Sequence, residues 1–197
     1  MGNGRQNIDL GPDGSEVGVD APEGLTYRPQ FLTPDEEASL LSFVEGLEFR
    51  EVTMRGQTAR RTVRHFGFDY GYESWKLAPG EPIPPELVSL GDRCAALAGI
   101  EPRLLVQALV THYPPGAGIG WHRDAPTFGP RVVGVSLGST CRMHFQRQTE
   151  DRRRVFELQL EPRSAYVLAG PARSAWQHAI PATKETRYSI TFRGLRS

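Results

Sequence analysis

From Leu104 onward the chain breaks into short β-prone runs divided by Gly, Pro, Ser and charged residues. The runs are Leu104–Tyr113, Arg131–Gly138, Cys141–Gln146, Arg154–Leu160, Ala165–Ala169, Trp176–Ile180 and Arg187–Arg193. Many short strands at this spacing imply a β-sandwich or jelly roll. Upstream the texture is helical. Thr33 can cap a helix, Pro34 fits its first position and Glu36 completes a capping box. Leu40, Leu41, Val44 and Leu47 then recur at helical spacing. A second helix follows Pro84-Pro85 and runs to about Ala98, with Leu87, Leu90, Cys94 and Leu97 along one face and Gly91 weakening it slightly. Between the helices, the aromatic and Gly-containing stretch Thr62–Trp75 reads as a hairpin or loop pair. The expected architecture is α+β: two helices packed on an outer sheet face, with the sandwich interior left for a site.

At 197 residues and 39% hydrophobic content, the chain suits one compact domain with a core. Residues 1–24 carry Asp9, Asp13, Glu16, Asp20 and Glu23 against Arg5, with few apolar residues, and read as a disordered acidic tail. Residues 25–103 read as helical support with a candidate substrate lid, and 104–197 as the jelly-roll core. No apolar run approaches the roughly 18 residues a membrane span needs. The N-terminus lacks the layout of a secretion signal, and Gln6 stands where myristoylation wants Ser or Thr. Cys94 and Cys141 make no disulfide framework. A cytoplasmic, membrane-free monomer is the expectation. The 23 basic and 23 acidic residues cancel, which excludes gripping nucleic acid by overall charge. Locally, residues 50–65 carry Arg50, Arg55, Arg60, Arg61 and Arg64 against Glu51 alone.

The chemistry concentrates in Trp121-His122-Arg123-Asp124 and the distant His178. Two imidazoles and one carboxylate form the set that holds non-haem Fe(II) on one face and leaves the other open. In an extended segment, residues two apart point the same way, so His122 and Asp124 can share an ion. The pair follows a Gly-rich turn, Pro114–Gly120, which puts it at a sandwich rim. His178 sits in a late strand, where a jelly roll brings strands back together. Each also has a plainer reading, a solvated His–Asp loop and a core histidine. His65, His112 and His144 are given only such ordinary roles.

These residues lie within a longer pattern: Thr111-His112-Tyr113-Pro114-Pro115-Gly116, His122-Arg123-Asp124, Val135-Ser136-Leu137-Gly138-Ser139, His178, and Arg187-Tyr188-Ser189-Ile190-Thr191-Phe192-Arg193. In this order, over about half the chain, the pattern resembles the AlkB family of Fe(II)- and 2-oxoglutarate-dependent dioxygenases. The resemblance implies a double-stranded β-helix core. It implies Fe(II) held by His122, Asp124 and His178, with 2-oxoglutarate and O2 as co-substrates. Tyr113 and Arg187 would bind the distal carboxylate of 2-oxoglutarate, and Arg193 would lie near its chelating end. Thr111, Ser136 and Ser189 would complete that subsite. Independently, Arg187, Ser189, Thr191 and Arg193 share one side of a strand, and a polar row facing a sandwich interior is costly unless it binds something. The chain departs from the family at Thr111, where many members have Asn. It departs again at Pro126, where the best-known bacterial members have a base-contacting Asp.

The implied reaction is oxidative dealkylation of alkylated bases in DNA or RNA, with release of aldehyde, succinate and CO2. The expected partner is alkylated single-stranded nucleic acid. Arg60, Arg61 and Arg64 would meet phosphate, and Phe66, Phe68, Tyr70 or Tyr72 would stack on an extruded base, with Trp121 beside it; the plainer reading is a twisted hairpin whose aromatics pack into the core while its arginines solvate. Two alternatives stand beside this: an oxygenase of a protein side chain or small metabolite, and a non-enzymatic jelly-roll binding module.

Overall fold

The computed structural model describes residues 8–10, 16–18 and 21–196, apart from 55, 73 and 151. In chain order the elements are β1 (Ile8–Leu10), β2 (Glu16–Gly18), β3 (Leu25–Arg28), α1 (Pro34–Glu45), β4 (Arg50–Met54), β5 (Gln57–Phe66), β6 (Phe68–Tyr70), β7 (Leu77–Pro79) and α2 (Pro85–Ala98). After a 3-10 turn at Pro102–Leu104 come β8 (Gln107–Tyr113), β9 (Ile119–His122), β10 (Phe128–Leu137), β11 (Cys141–Gln148) and β12 (Arg153–Leu160). The chain closes with β13 (Ala165–Leu168), α3 (Gly170–Ser174), β14 (Gln177–Ile180) and β15 (Arg187–Leu195).

Two antiparallel sheets face each other. The major sheet has the order β3-β13-β10-β15-β8-β5-β4 and the minor sheet β12-β11-β14-β9. This is the jelly-roll core that the short strands imply. The region before residue 104 is less purely helical than expected, because β3, β4 and β5 extend the major sheet at both edges. Most of the tail expected over 1–24 lies outside the described residues. Where it is described, β1 pairs with β2. Residues 22–24 are already tied into the fold, since Ala169 and Ala172 donate backbone hydrogen bonds to Gly24 and Glu23.

Helix α1 starts at a capping box, and α2 starts at Pro85, whose fixed φ suits the first helical position. Thr33 accepts from the Glu36 amide at 3.2 Å, and the Glu36 carboxylate accepts from the Thr33 amide at 2.7 Å. These bonds satisfy two donors that a helix N-terminus otherwise leaves open. Helix α2 ends at Gly99, whose φ of 62° is cheap only for glycine. Leu87, Leu90, Cys94, Ala95 and Ala98 pack against Val110, Val133, Val135, Ile190 and Phe192 of the major sheet. Each fully buried Leu there contributes about 1.5–3 kcal/mol. Because side chains alternate along a strand, the residues between these β15 positions, Arg187, Ser189, Thr191 and Arg193, face the sandwich interior. The interior is closed by Met143, Phe145, Leu158 and Trp176, among others. Gly134 also belongs there: a Cβ on it would fall 2.3 Å from the Tyr166 ring.

Candidate metal and dicarboxylate site

Register brings the distant histidines together. His122, the last residue of β9, is directly opposite His178 of β14, and His178 pairs in turn with Phe145. The two imidazole rings are 4.2 Å apart, centroid to centroid. Asp124 lies just beyond the strand, with its Oδ2 3.8 Å from His178 Nε2 and its Oδ1 3.4 Å from Arg193 Nη1. Arg173 holds the backbone of this loop, donating to the carbonyls of Asp124 at 3.1 Å and Ala125 at 2.9 Å. Nothing in the α3 sequence marks Arg173 for this role, because the partners are some fifty residues away.

The protonation states follow from burial. Desolvation, helped by His122, pushes His178 down to about 4, and His122 is lowered chiefly by burial. Both rings are therefore neutral at pH 7, and the His178–Asp124 contact is not an ion pair. His122 Nδ1 faces the Gly120 carbonyl at 2.9 Å, which fixes its proton there and leaves Nε2 as a bare lone pair. Burial works to raise the Asp124 carboxyl. The charges facing it overcome this and hold it below the usual carboxylate range: His178 in acid, where that ring takes up its proton, and Arg193 at every pH.

Across the interior, Arg187 is fully buried. It donates to Ser136 Oγ at 2.9 Å and stacks 5.1 Å from the Tyr113 ring, while its Nε and Nη1 have no partner. Arg193 sits 3.9 Å over the Phe128 ring, with Nε and Nη2 unpartnered. Register joins Arg187 to Tyr113, and Ser189 to both Thr111 and Ser136. All six residues expected around the co-substrate thus share one face of three adjacent strands. Two surface cavities, of about 390 and 220 Å³, lie against α2 and contain none of the candidate site residues.

A buried guanidinium with open donors calls for an anion, because an unpaired charge in the interior is expensive. Two neutral imidazoles beside an ionised carboxylate make a set that suits a divalent cation. Among the described residues, no three His, Cys, Asp or Glu side chains are closed around one point as tightly as a filled metal site holds them. Donors about 2.1 Å from one ion lie roughly 3.0–4.2 Å apart, and the Asp124–His178 separation of 3.8 Å falls within that range. The residues present fit both a ferrous ion and a dicarboxylate.

The residues expected to meet substrate divide by strand parity. Along β5, Val63 pairs with Thr111 and so shares the interior face, as do Arg61 and His65 two residues to either side. Arg64 and Phe66 face the helices. Phe66 is 4% exposed within the core beneath them and cannot stack on a base, and Arg64 is committed to Glu81 at 2.6 Å. Arg60 lies against the rim turn at Gly116. Trp121 is adjacent to His122 in β9 and points the other way, onto the solvent face of the minor sheet beside His144, so it does not line the interior. Tyr70 packs edge-on against Tyr72 at 5.5 Å and lies 5.5 Å from Phe128. Tyr72 itself stands among Arg61, Arg193, Tyr113 and Tyr70, with its hydroxyl 3.4 Å from His65 Nε2. Tyr72 is one of the expected stacking residues, whereas His65, read as ordinary, reaches the same interior through its place on β5.

Fold and geometry together define a jelly-roll protein whose interior pairs an acid–imidazole cluster with unsatisfied guanidiniums. The chain belongs to the 2OG-Fe(II) oxygenase superfamily, whose family model matches residues 24–193, and its relatives place it among the AlkB-type members. It is 29% identical over 174 residues to the mouse tRNA (carboxymethyluridine(34)-5-O)-methyltransferase ALKBH8, covering 85% of this chain and 26% of that protein. It is 27% identical over 171 residues to the Danio rerio probable RNA/DNA demethylase ALKBH6, covering 82% and 70%. The structure of OsALKBH1 superposes with a TM-score of 0.68 at 17% identity, covering 88% of this chain and 97% of that one. The chain spans about a quarter of the length of the ALKBH8 relatives it matches. The family's members are dioxygenases that use Fe(II), 2-oxoglutarate and O2. No helix among the described residues is long and apolar enough to cross a membrane.

Proposed function

We propose that this chain catalyses oxidative dealkylation of alkylated bases in single-stranded DNA or RNA. The observation that carries the reading is Arg187, a fully buried cation with two open donors on the same interior as His122, Asp124 and His178. In this reading the two histidines and the aspartate hold Fe(II). His122 presents Nε2 because its other nitrogen is occupied, and His178 is available because burial keeps it neutral. Arg187 anchors the distal carboxylate of 2-oxoglutarate, oriented by Ser136 and flanked by Tyr113, Thr111 and Ser189. Arg193 balances the negative charge that Asp124 brings to the centre. Bound iron and 2-oxoglutarate supply the O2 activation that no side chain can.

The polypeptide orients the reactants and keeps out water, with Phe128, Phe145 and Trp176 lining an apolar surround. Arg61 and Tyr72 stand beside the centre, where a guanidinium can meet phosphate and a phenol ring can flank an extruded base. The relatives, a tRNA methyltransferase and a probable RNA/DNA demethylase by name, favour a nucleic acid over a protein side chain.

The test is aldehyde release from methylated single-stranded oligonucleotides, dependent on Fe(II) and 2-oxoglutarate. Succinate formation stimulated by a peptide or small metabolite, and by no alkylated oligonucleotide, overturns the substrate assignment.

A further inference from the structure

Cys141, the first residue of β11, points into the sandwich interior that holds Arg187. It shares the interior cluster with Tyr113 and Tyr166, is 7% exposed and forms no disulfide. Its side chain is inward by register, since Cys141, Met143 and Phe145 alternate with the outward Arg142 and His144. It is near enough to the guanidinium for Arg187 to act on its thiol by charge and by a side-chain hydrogen bond, while Arg187 Nε and Nη1 have no partner among the described residues. The other cysteine, Cys94, is buried at 0% exposure between α2 and the outer face of the major sheet.

We propose that Cys141 is the minor-sheet wall of the dicarboxylate seat, setting the space beyond the carboxylate held by Arg187 and making that seat closable by modification of one thiol. The inference rests on the reading of Arg187 as the carboxylate anchor. Its basis is two-sided. The major sheet supplies the cation, Tyr113 and Ser136, and a carboxylate seated on Nε and Nη1 must have something behind it. The residue there is small and uncharged, and its sulfur is only a weak acceptor, so it leaves room for the ligand and yields the guanidinium to a carboxylate. A larger group at this position, genetic or chemical, would occupy the ligand's space.

Two experiments test it. The first is anaerobic calorimetric titration of 2-oxoglutarate into the Fe(II)-loaded protein and its variants. Cys141→Leu should weaken binding at least tenfold, while Cys141→Ser should stay within about threefold of wild type. Arg187→Met should weaken it in parallel. The second labels the wild-type protein with methyl methanethiosulfonate, which transfers a methylthio group to the thiol and releases methanesulfinate. Cys141 should take up one group slowly, Cys94 none, and saturating 2-oxoglutarate should slow the reaction at least fivefold. A labelled protein should then fail to bind 2-oxoglutarate. Tight binding by Cys141→Leu overturns the proposal, as does labelling at equal rates with and without bound 2-oxoglutarate. A Cys141 that reacts only after unfolding also overturns it. If Arg187→Met also binds normally, the anchor reading itself is at fault. If only the Arg187 variant is impaired, the anchor stands and the role of Cys141 falls.

Discussion

Replacing Arg187 by Met should make the ligand-free protein no less stable while crippling its use of 2-oxoglutarate. The two effects come from the same atoms. Arg187 is fully buried and donates to Ser136 at 2.9 Å, with two donors open among the described residues. A buried charge in that condition is a stability cost, and replacing buried ionic groups with apolar residues of similar volume is often neutral or stabilising by about 1–4 kcal/mol. When a carboxylate arrives, the open donors become charge-assisted hydrogen bonds worth about 1.5–3 kcal/mol. Losing them should weaken 2-oxoglutarate by about 10- to 150-fold. Thermal denaturation reads both quantities. In wild type, 2-oxoglutarate at about 100 times its Kd adds about 2.7 kcal/mol, and a chain of this size gains about 2–4 °C per kcal/mol. The ligand should therefore raise Tm by about 5–10 °C. In Arg187→Met the unliganded Tm should be equal or higher, and about half to nine-tenths of that ligand-induced rise should vanish at the same concentration. Anaerobic Fe(II) titration should be little changed. A variant that melts several degrees lower without ligand and loses iron as well would show Arg187 to be part of the scaffold, and the argument from open donors would fail.

His122→Ala and Asp124→Ala should each abolish iron-dependent succinate formation, with Fe(II) affinity measured anaerobically as the direct check. In the metal-free protein, His65 is held down to about 4, first by burial and then by Arg193. Its contribution to stability is thus complete above about pH 6.5 and lost as pH falls toward about 4. A pH series of urea melts should show that decline, and His65→Gln should flatten it; an unchanged slope would contradict a neutral, buried His65. Gly134→Ala should lower stability by about 1–3 kcal/mol through overpacking, because its Cβ would sit 2.3 Å from the Tyr166 ring. Adding Tyr166→Leu should recover much of that loss. Arg61→Glu and Tyr72→Ala should raise the KM for a methylated oligonucleotide severalfold without altering 2-oxoglutarate binding, whereas Arg64→Glu should not. Equal effects at Arg61 and Arg64 would defeat the assignment by strand parity.

How far the sequence could be read depends on which interactions each feature reports. The helix starts were legible because a cap is local: Thr33, Pro34 and Glu36 solve their own hydrogen-bonding problem within one turn. The polar row of β15 was legible for the same reason, since alternation along a strand needs no partner. What alternation does not supply is the sign, which face is interior, and that is set by strands far away in sequence. Thus β5 takes its orientation from β8, and only that pairing decides that Arg61 and His65 face the centre while Arg64 and Phe66 face the helices. Reading Arg60, Arg61, Arg64 and Phe66 as one surface ignored a parity already visible in the sequence. Trp121 shows the same lapse more sharply. Once His122 is placed inward on an extended segment, its neighbour must point outward, and the Trp121–His144 contact on the solvent face of the minor sheet is the consequence. Arg173 is a different case. It acts from a single helical turn, where no period exists, and finds its partners only after the sandwich has closed. The parity rule therefore has a further use at the seat of the carboxylate. It places Cys141, Met143 and Phe145 inward on β11 as surely as Arg187 and Ser189 on β15, so a thiol reagent excluded by 2-oxoglutarate from position 141 would verify the facing of both sheets with one measurement.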